Sequence, residues 1–309
     1  MRSTSHILVI NGTKVSQPVF VLGAPHSGTD LLAGALKRST GFHLTAGRPD
    51  VLRVTYAFAR RPAIATDRER GAARVLRDAY SDAWRISPQA CAECSAECRT
   101  MSGVPGPGPC VRERGVQRFA DASPDLLYSA DVLLDAFPDA LLLQIIRDGR
   151  DVVGEMLGDE RCLAWFKPGF ANLDEVYPNP FLGVEDETER HRWSDASVAV
   201  KCALRWRGAV RLSARLRAQT PAEQLFTVRY EELVTRPGRV APDLSAFLGA
   251  EVSKVTLSGL VRAVDREHRN RTVGSWRTRL SGKQARQVER IAGRELARLG
   301  YPLSAPGPA

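Results

Sequence analysis

Residues 19–32, VFVLGAPHSGTDLL, decide the fold. Residues 19–22 are a short run of β-type side chains, Gly23 and Gly28 bracket a tight loop, and beyond Asp30 the residues Leu31, Leu32, Ala35 and Leu36 fall at helical spacing. Strand, glycine loop and helix in that order make a phosphate-binding loop. The two glycines let the backbone turn sharply, and the amides of Ser27, Gly28 and Thr29 are expected to point at an anion seated on the helix N-terminus. The spacing from Gly23 to Gly28 is also that of a Walker A loop, which continues with Lys and then Ser or Thr to hold phosphates and Mg²⁺. Thr29 and Asp30 stand in those positions here. Nucleotide hydrolysis by that route is therefore not expected, and the loop should serve a phosphate without metal help.

Working outward, a second unit begins at Ser123 and Pro124. It reads as a helix through Leu126, Leu127, Val132 and Leu133, a turn at Phe137, Pro138 and Asp139, and a strand over 141–146. That strand stops at RDGRDVVGEML (147–157), another strand-to-helix junction with Arg147 at the carboxyl end. In open parallel sheets ligands bind outside those ends, so both loops are expected to face one crevice. A third strand, 225–228, leads to RYEELVTRPG (229–238) and a helix through Leu244 and Phe247, and residues 279–299 read as a charged amphipathic helix. Residues 7–9 form one more β-type run. The pattern is an α/β chain, with no internal repeat.

The chain has 309 residues, 44 Lys+Arg against 35 Asp+Glu, a net charge of +9, and 43% hydrophobic residues. This much apolar material builds a core, which excludes a disordered tail or a fibrous repeat. Only Lys14, Lys37, Lys167, Lys201, Lys254 and Lys283 are lysines; the remaining basic residues are arginines, whose forked guanidinium suits phosphate and sulfate oxygens. The apolar stretch near the start, 7–10, is too short for a signal-peptide core, and no stretch approaches bilayer length, so a cytoplasmic protein with no membrane partner is expected. Without a motif that reads RNA or DNA, the charge alone does not make nucleic acid an expected partner.

Four stretches in order resemble the PAPS-dependent sulfotransferases, particularly the bacterial ones: 19–32 above, FPDALLLQIIRDGRDVV (137–153), VRYEELVTRPGRVAPDLSAFLG (228–249) and NRTVGSWRTRLS (270–281). The resemblance implies a single domain over 1–309, with a three-layer P-loop-like fold in which helices flank a central parallel sheet. It implies transfer of a sulfuryl group from 3′-phosphoadenosine-5′-phosphosulfate (PAPS), leaving PAP, to a hydroxyl or amine of a small-molecule or carbohydrate acceptor. Carried over by position, Pro25, His26, Ser27, Gly28, Thr29 and Asp30 would hold the 5′-phosphosulfate. Arg147 would bind the 3′-phosphate, and Arg271, Gly274 and Trp276 would cover the nucleotide. Sulfuryl transfer needs cationic groups on the bridging oxygen as the leaving phosphate gains charge.

Three positions depart from the family pattern. His26 stands where Lys or Arg is usual, and an imidazolium there would donate to the leaving oxygen. Asp30 replaces Thr or Ser, and Glu155 replaces the serine eight residues beyond Arg147, where it would repel a 3′-phosphate. These acids leave open a repurposed or differently charged donor, or a non-catalytic nucleotide-binding protein. For the acceptor base the resemblance offers Asp50, His43 and Asp121, each of which also reads as a cap, a solvated residue or a packed side chain.

CAECSAECRT puts Cys91, Cys94 and Cys98 at CxxCxxxC spacing, and Cys110 follows a Pro/Gly turn. Four thiolates so spaced suit a structural zinc ion, an iron–sulfur cluster has similar ligand needs, and free thiols or a redox pair are the alternative. Residues 84–115 are expected to be a Cys-rich insertion, and the irregular segment 158–195 a lid or acceptor loop. Of the aromatic side chains, Trp276 alone carries motif support for stacking on a base. No motif reads the oligomeric state or the acceptor.

Overall fold

The computed structural model describes residues 7–65, 71–104, 108–111, 113–267 and 272–304. Strands β1 (Val9–Ile10) and β2 (Thr13–Lys14) make a small antiparallel hairpin. β3 (Val19–Gly23), β4 (Phe42–Thr45), β5 (Arg118–Asp121), β6 (Leu141–Ile146) and β7 (Leu225–Arg229) form one sheet in the order β4-β5-β3-β6-β7, with every neighbouring pair parallel. The run at 7–9 therefore belongs to the hairpin rather than to the sheet, and β4 and β5 extend the sheet beyond the three strands expected.

β3 shows why the sequence builds a sheet covered on both faces. Val19 and Val21 pack with Leu31, Leu32, Leu36 and Leu244 on one side, while Phe20 and Leu22 pack with Tyr80, Trp84 and Phe137 on the other. All four are essentially inaccessible, so each contributes roughly 2 kcal/mol of burial. A parallel strand buried on both faces reads as a continuous apolar run rather than an alternation. Helices Thr29–Lys37, Pro237–Leu248 and Lys254–Glu267 cover the first face. Gly71–Ala83, Ala130–Ala136, Gly149–Met156, Val198–Gln219 and Gly282–Arg298 cover the second, completing three layers.

The helix expected after Ser123 begins as a 3₁₀ turn, Leu126–Ser129, before Ala130–Ala136. The C-terminal helix is split at Leu280: Trp276–Arg279 ends there, and Ser281 starts Gly282–Arg298 with a reciprocal capping box to Gln284. Within 84–115 two short helices, Pro88–Ala92 and Ala96–Ser102, are capped by the Ser87 and Ser95 side chains. Segment 158–195 is anchored rather than detached, with Phe181, Leu182 and Val184 buried in the core. A Cβ at Gly183 would overlap the Leu204 carbonyl, so only glycine lets this segment lie against helix Val198–Gln219. Among the described residues, no helix is long and apolar enough to cross a membrane.

Candidate functional site

The loop after β3 lies where the parallel order places ligands, at the carboxyl ends of β3 and β6. Gly28 sits at φ 96° with its Cα against the Tyr230 ring, so any side chain there would both strain the backbone and strike the ring. His26 also takes a left-handed conformation, φ 59°, which for a residue with a Cβ costs on the order of 1–3 kcal/mol. The surroundings hold it there. Its carbonyl accepts a 2.8 Å hydrogen bond from Arg147 Nη1, and its ring is gripped from both sides by acids.

Those contacts form a chain of charge. Arg147, at the end of β6 and 1% exposed, stacks 4.1 Å over the Tyr230 ring and places Nη1 2.6 Å from Glu155 Oε1. The other Glu155 oxygen lies 3.4 Å from His26 Nδ1, and His26 Nε2 lies 3.1 Å from Asp159 Oδ2. A ring protonated at both nitrogens donates to both carboxylates. Cys162 Sγ is 3.8 Å from the same Nε2, and burial pushes its thiol up to about 12. Burial works against ionisation of Asp159 as well, but the Arg161 amide, the Cys162 thiol and the neighbouring His26 and Arg161 charges hold its carboxyl below the usual range. Asp159 is thus an anion at neutral pH, facing the loop.

A cavity of about 370 Å³ opens beside this chain. His26, Thr29 and Asp30 form part of its wall, Asp159, Cys162 and Trp165 another, and Tyr56 with Leu52 a third. Ser95, Glu97 and Met101 of the Cys-rich insertion close the far side. At its base Arg205, fully buried in helix Val198–Gln219, places Nη2 2.9 Å from both oxygens of Asp125 and stacks on Phe181. Burial pushes the Tyr56 hydroxyl up to about 12, so it remains a donor. Apolar walls with a few converging polar groups suit a small organic molecule.

The structure brings some of the expected residues together and separates others. Pro25, His26, Thr29 and Asp30 line the cavity. The Ser27 amide does not face an anion; it donates to the Ala24 carbonyl at 3.1 Å, because the loop closes a turn before the helix begins. Asp50, His43 and Asp121, the expected bases, do not line the cavity. Asp50 is half-buried in the first turn of helix Pro49–Arg60 and pairs with Arg53. His43 is buried in β4, and burial with nearby Lys37 and Arg48 pulls its ring down to about 3. Asp121 is wholly buried at the end of β5, accepting from Thr45 Oγ1 at 2.6 Å and from the Ser123 amide at 2.8 Å.

In the segment expected to cover a nucleotide, Gly274, Ser275 and Trp276 all donate to the Asp151 carboxylate, which pins this segment onto helix Gly149–Met156. Arg150 and Arg277 stand over the Trp276 indole at 4.4 and 4.6 Å, so the ring already has cationic partners. Arg271 lies outside the described residues. Cys91, Cys94, Cys98 and Cys110 come together around a second, small cavity that none of the site cavity's lining residues share. Asp159, Asp125 and Arg205 were not anticipated. Asp159 has a signal in hindsight, as an Asp directly preceding a short helical run; the Asp125–Arg205 pair, 80 positions apart, has none.

The model of a family described as the Sulfotransferase family matches residues 18–159, a little under half of the chain. The match spans the loop, β6, Arg147, Glu155 and Asp159. Comparison with curated proteins finds no match. Among solved structures the chain is similar to a sulfotransferase from Alicyclobacillus acidocaldarius, at 18% identity and a TM-score of 0.46, with 92% of this chain and 95% of that one covered. It is similar to a sulfotransferase from Mycobacterium avium at 15% identity and a TM-score of 0.45, covering 94% and 79%. It is also similar to a mouse sulfotransferase complexed with PAP, at 13% identity and a TM-score of 0.42, covering 96% and 91%.

Proposed function

We propose that this chain moves a sulfuryl group from the nucleotide phosphosulfate PAPS to a hydroxyl or amine of a small-molecule or carbohydrate acceptor held in the 370 Å³ cavity. The observation that supports this reading is the sharing of one wall: His26, Thr29 and Asp30 belong both to the phosphate loop and to the cavity. A phosphosulfate on the loop therefore presents its sulfur to an acceptor in the cavity. The acceptor oxygen or nitrogen forms the new bond to sulfur, the sulfur–oxygen bond to the nucleotide phosphate breaks, and the phosphate leaves with the bond's electrons. His26 donates a hydrogen bond to that leaving oxygen from Nε2, exchanging its Asp159 partner for the substrate and so offsetting the growing charge. Asp159, ionised and 3.1 Å from His26, takes the proton from the acceptor. This assigns to Asp159 the base role for which Asp50, His43 and Asp121 are misplaced.

The loop suits the 5′ end of such a donor. The 3′ end is less well matched, because Arg147 is engaged by Glu155 at 2.6 Å. That pair favours a second reading, in which the donor is adenosine 5′-phosphosulfate or another phosphosulfate with no 3′-phosphate. Incubation with radiolabelled PAPS or adenosine 5′-phosphosulfate and a panel of phenols, amines and sugars tests both. Labelled acceptor formed by the wild type, and lost in His26→Ala with nucleotide binding retained, supports sulfuryl transfer. Nucleotide binding with no transfer to any acceptor class and no slow hydrolysis of the donor favours a non-catalytic binding protein instead.

A further inference from the structure

Cys91, Cys94, Cys98 and Cys110 line one small space of about 10 Å³, together with Arg99 and Gly108. Local structure delivers them there. Cys91 sits at the end of the helix capped by Ser87, Cys94 lies in the turn that follows, and Cys98 is one turn into the helix whose N-terminus Ser95 caps. Cys110 arrives from a separate stretch of chain. A space the size of one water, lined by four cysteines from four separate places in the chain, is poorly explained by apolar packing, because the insertion has larger side chains available and leaves this point to thiols.

Three cationic side chains stand near the sulfurs, one of them, Arg48, paired with Glu93. Lys37, largely buried in the helix of the phosphate loop, places Nζ 2.6 Å from the Leu44 carbonyl and 3.3 Å from Cys98 Sγ. Arg99 lines the cavity and donates to the Cys91 carbonyl at 2.5 Å, and Arg48 donates to Ala90 and Glu93 beside it. A buried ammonium needs a compensating charge. Four thiolates around one divalent cation carry a net charge of −2, which this ring of cations balances. Among the described residues, the His, Cys, Asp and Glu atoms that lie within 4.8 Å of one another in threes are those of His26, Asp159 and Cys162, so the four sulfurs are more loosely spread, and an ion must draw them inward.

We propose that Cys91, Cys94, Cys98 and Cys110 bind a structural zinc ion in tetrahedral geometry, with Lys37 as a donor to the Cys98 sulfur. With all four positions filled by protein, the site has no open position for chemistry. Its effect is on the cavity. Ser95, between Cys94 and Cys98, donates to the Ala46 carbonyl, and Ser95, Glu97 and Met101 form the cavity's far wall. Zinc thus fixes the acceptor side of the cavity.

The test is metal analysis of the full chain purified under reducing conditions, followed by Co²⁺ exchange, and it stands whether or not sulfuryl transfer is the activity. Expected are one zinc per chain, a thiolate-to-cobalt charge-transfer band with intense tetrahedral d–d absorption, and zinc release on titration with a mercurial reagent. Zinc should be lost in Cys94→Ser and Cys98→Ser and kept in Cys202→Ser, whose thiol lies in the core. Because a Cys variant can unfold, the mercurial titration of the wild type serves as an independent readout. Absence of zinc after reconstitution, a cobalt spectrum without the thiolate band, iron with acid-labile sulfide, or a Cys94–Cys98 disulfide in the reduced preparation each overturns the proposal.

Discussion

Replacing Glu155 by Gln tests how the donor's far end is recognised. The pair it forms with Arg147 is buried, with the two side chains 1% and 6% exposed, so solvent screens it little. A 3′-phosphate seated on Arg147 would lie about 5 Å from the Glu155 carboxylate, and at an effective dielectric of about 20 each phosphate charge is repelled by roughly 3 kcal/mol. Neutralising Glu155 removes that repulsion and frees the guanidinium for the phosphate. PAP affinity in Glu155→Gln should therefore rise at least ~100-fold, while affinity for adenosine 5′-phosphate, which lacks the group, should change little. The change has a cost in the free protein. It leaves Arg147 without its counter-charge, which lowers stability by roughly 3–5 kcal/mol, and saturating PAP should restore much of that. Calorimetry with both nucleotides on both proteins, with thermal unfolding at fixed ligand, reads each effect. Wild-type protein that binds PAP at least ~10-fold tighter than adenosine 5′-phosphate, with no gain in Glu155→Gln, refutes the reasoning: the carboxylate would then have to swing aside at negligible cost.

Asp159→Asn keeps the shape of the carboxylate but not its basicity, so turnover should fall by about 10²–10⁴ with PAP binding intact, and a rate within twofold of wild type ends its assignment as the base. Burial lifts the Asp121 carboxyl from 3.8 to about 6, so the native state holds this proton more tightly than the unfolded chain does. Its contribution favours folding below the unfolded value and is lost as pH rises through the folded one, a change on the order of 3 kcal/mol. Urea unfolding of Asp121→Asn should accordingly show a flatter stability profile between about pH 4 and about pH 6 than the wild type, and an unchanged slope there would assign the pH dependence to another group. Arg205→Met strands the Asp125 carboxylate at the cavity base and should cost about 3–5 kcal/mol in denaturant unfolding; the double variant with Asp125→Asn should recover most of it, and failure to recover would mean Arg205 acts through its Phe181 contact instead.

The parts of the fold legible in the sequence are those where one local signal is enough. β3 and β6 are continuous apolar runs because helices cover both their faces, and the loop between β3 and its helix is marked by Gly28, whose place only glycine can fill. β4 and β5 carry no such mark. They read FHLT and RFAD, short and half polar, and become strands because β5 pairs with β3 at Val19 and Phe20 while β4 completes the edge. Asp121 is absorbed by the tertiary structure through Thr45 and the Ser123 amide, so a residue that looks chemical in the sequence proves to tie adjacent strand ends together.

The site divides along the same line. The loop and Arg147 are local features of strand ends, at the carboxyl ends of β3 and β6. What they do there depends on pairings between distant positions, which spacing does not encode: His26 with Asp159, Asp125 with Arg205, Arg147 with Glu155. The acids at Asp30 and Glu155 stand out in the sequence as misplaced negative charge in an anion site. In the structure Glu155 faces the Arg147 guanidinium and the His26 ring at once, so its charge is spent within the protein before any ligand arrives. The net charge of +9 says little about ligand affinity here. What decides it is whether a phosphate competes better than Glu155 for one buried guanidinium, since substituting one anion for another on Arg147 gains nothing from long-range attraction and is settled by geometry at the contact.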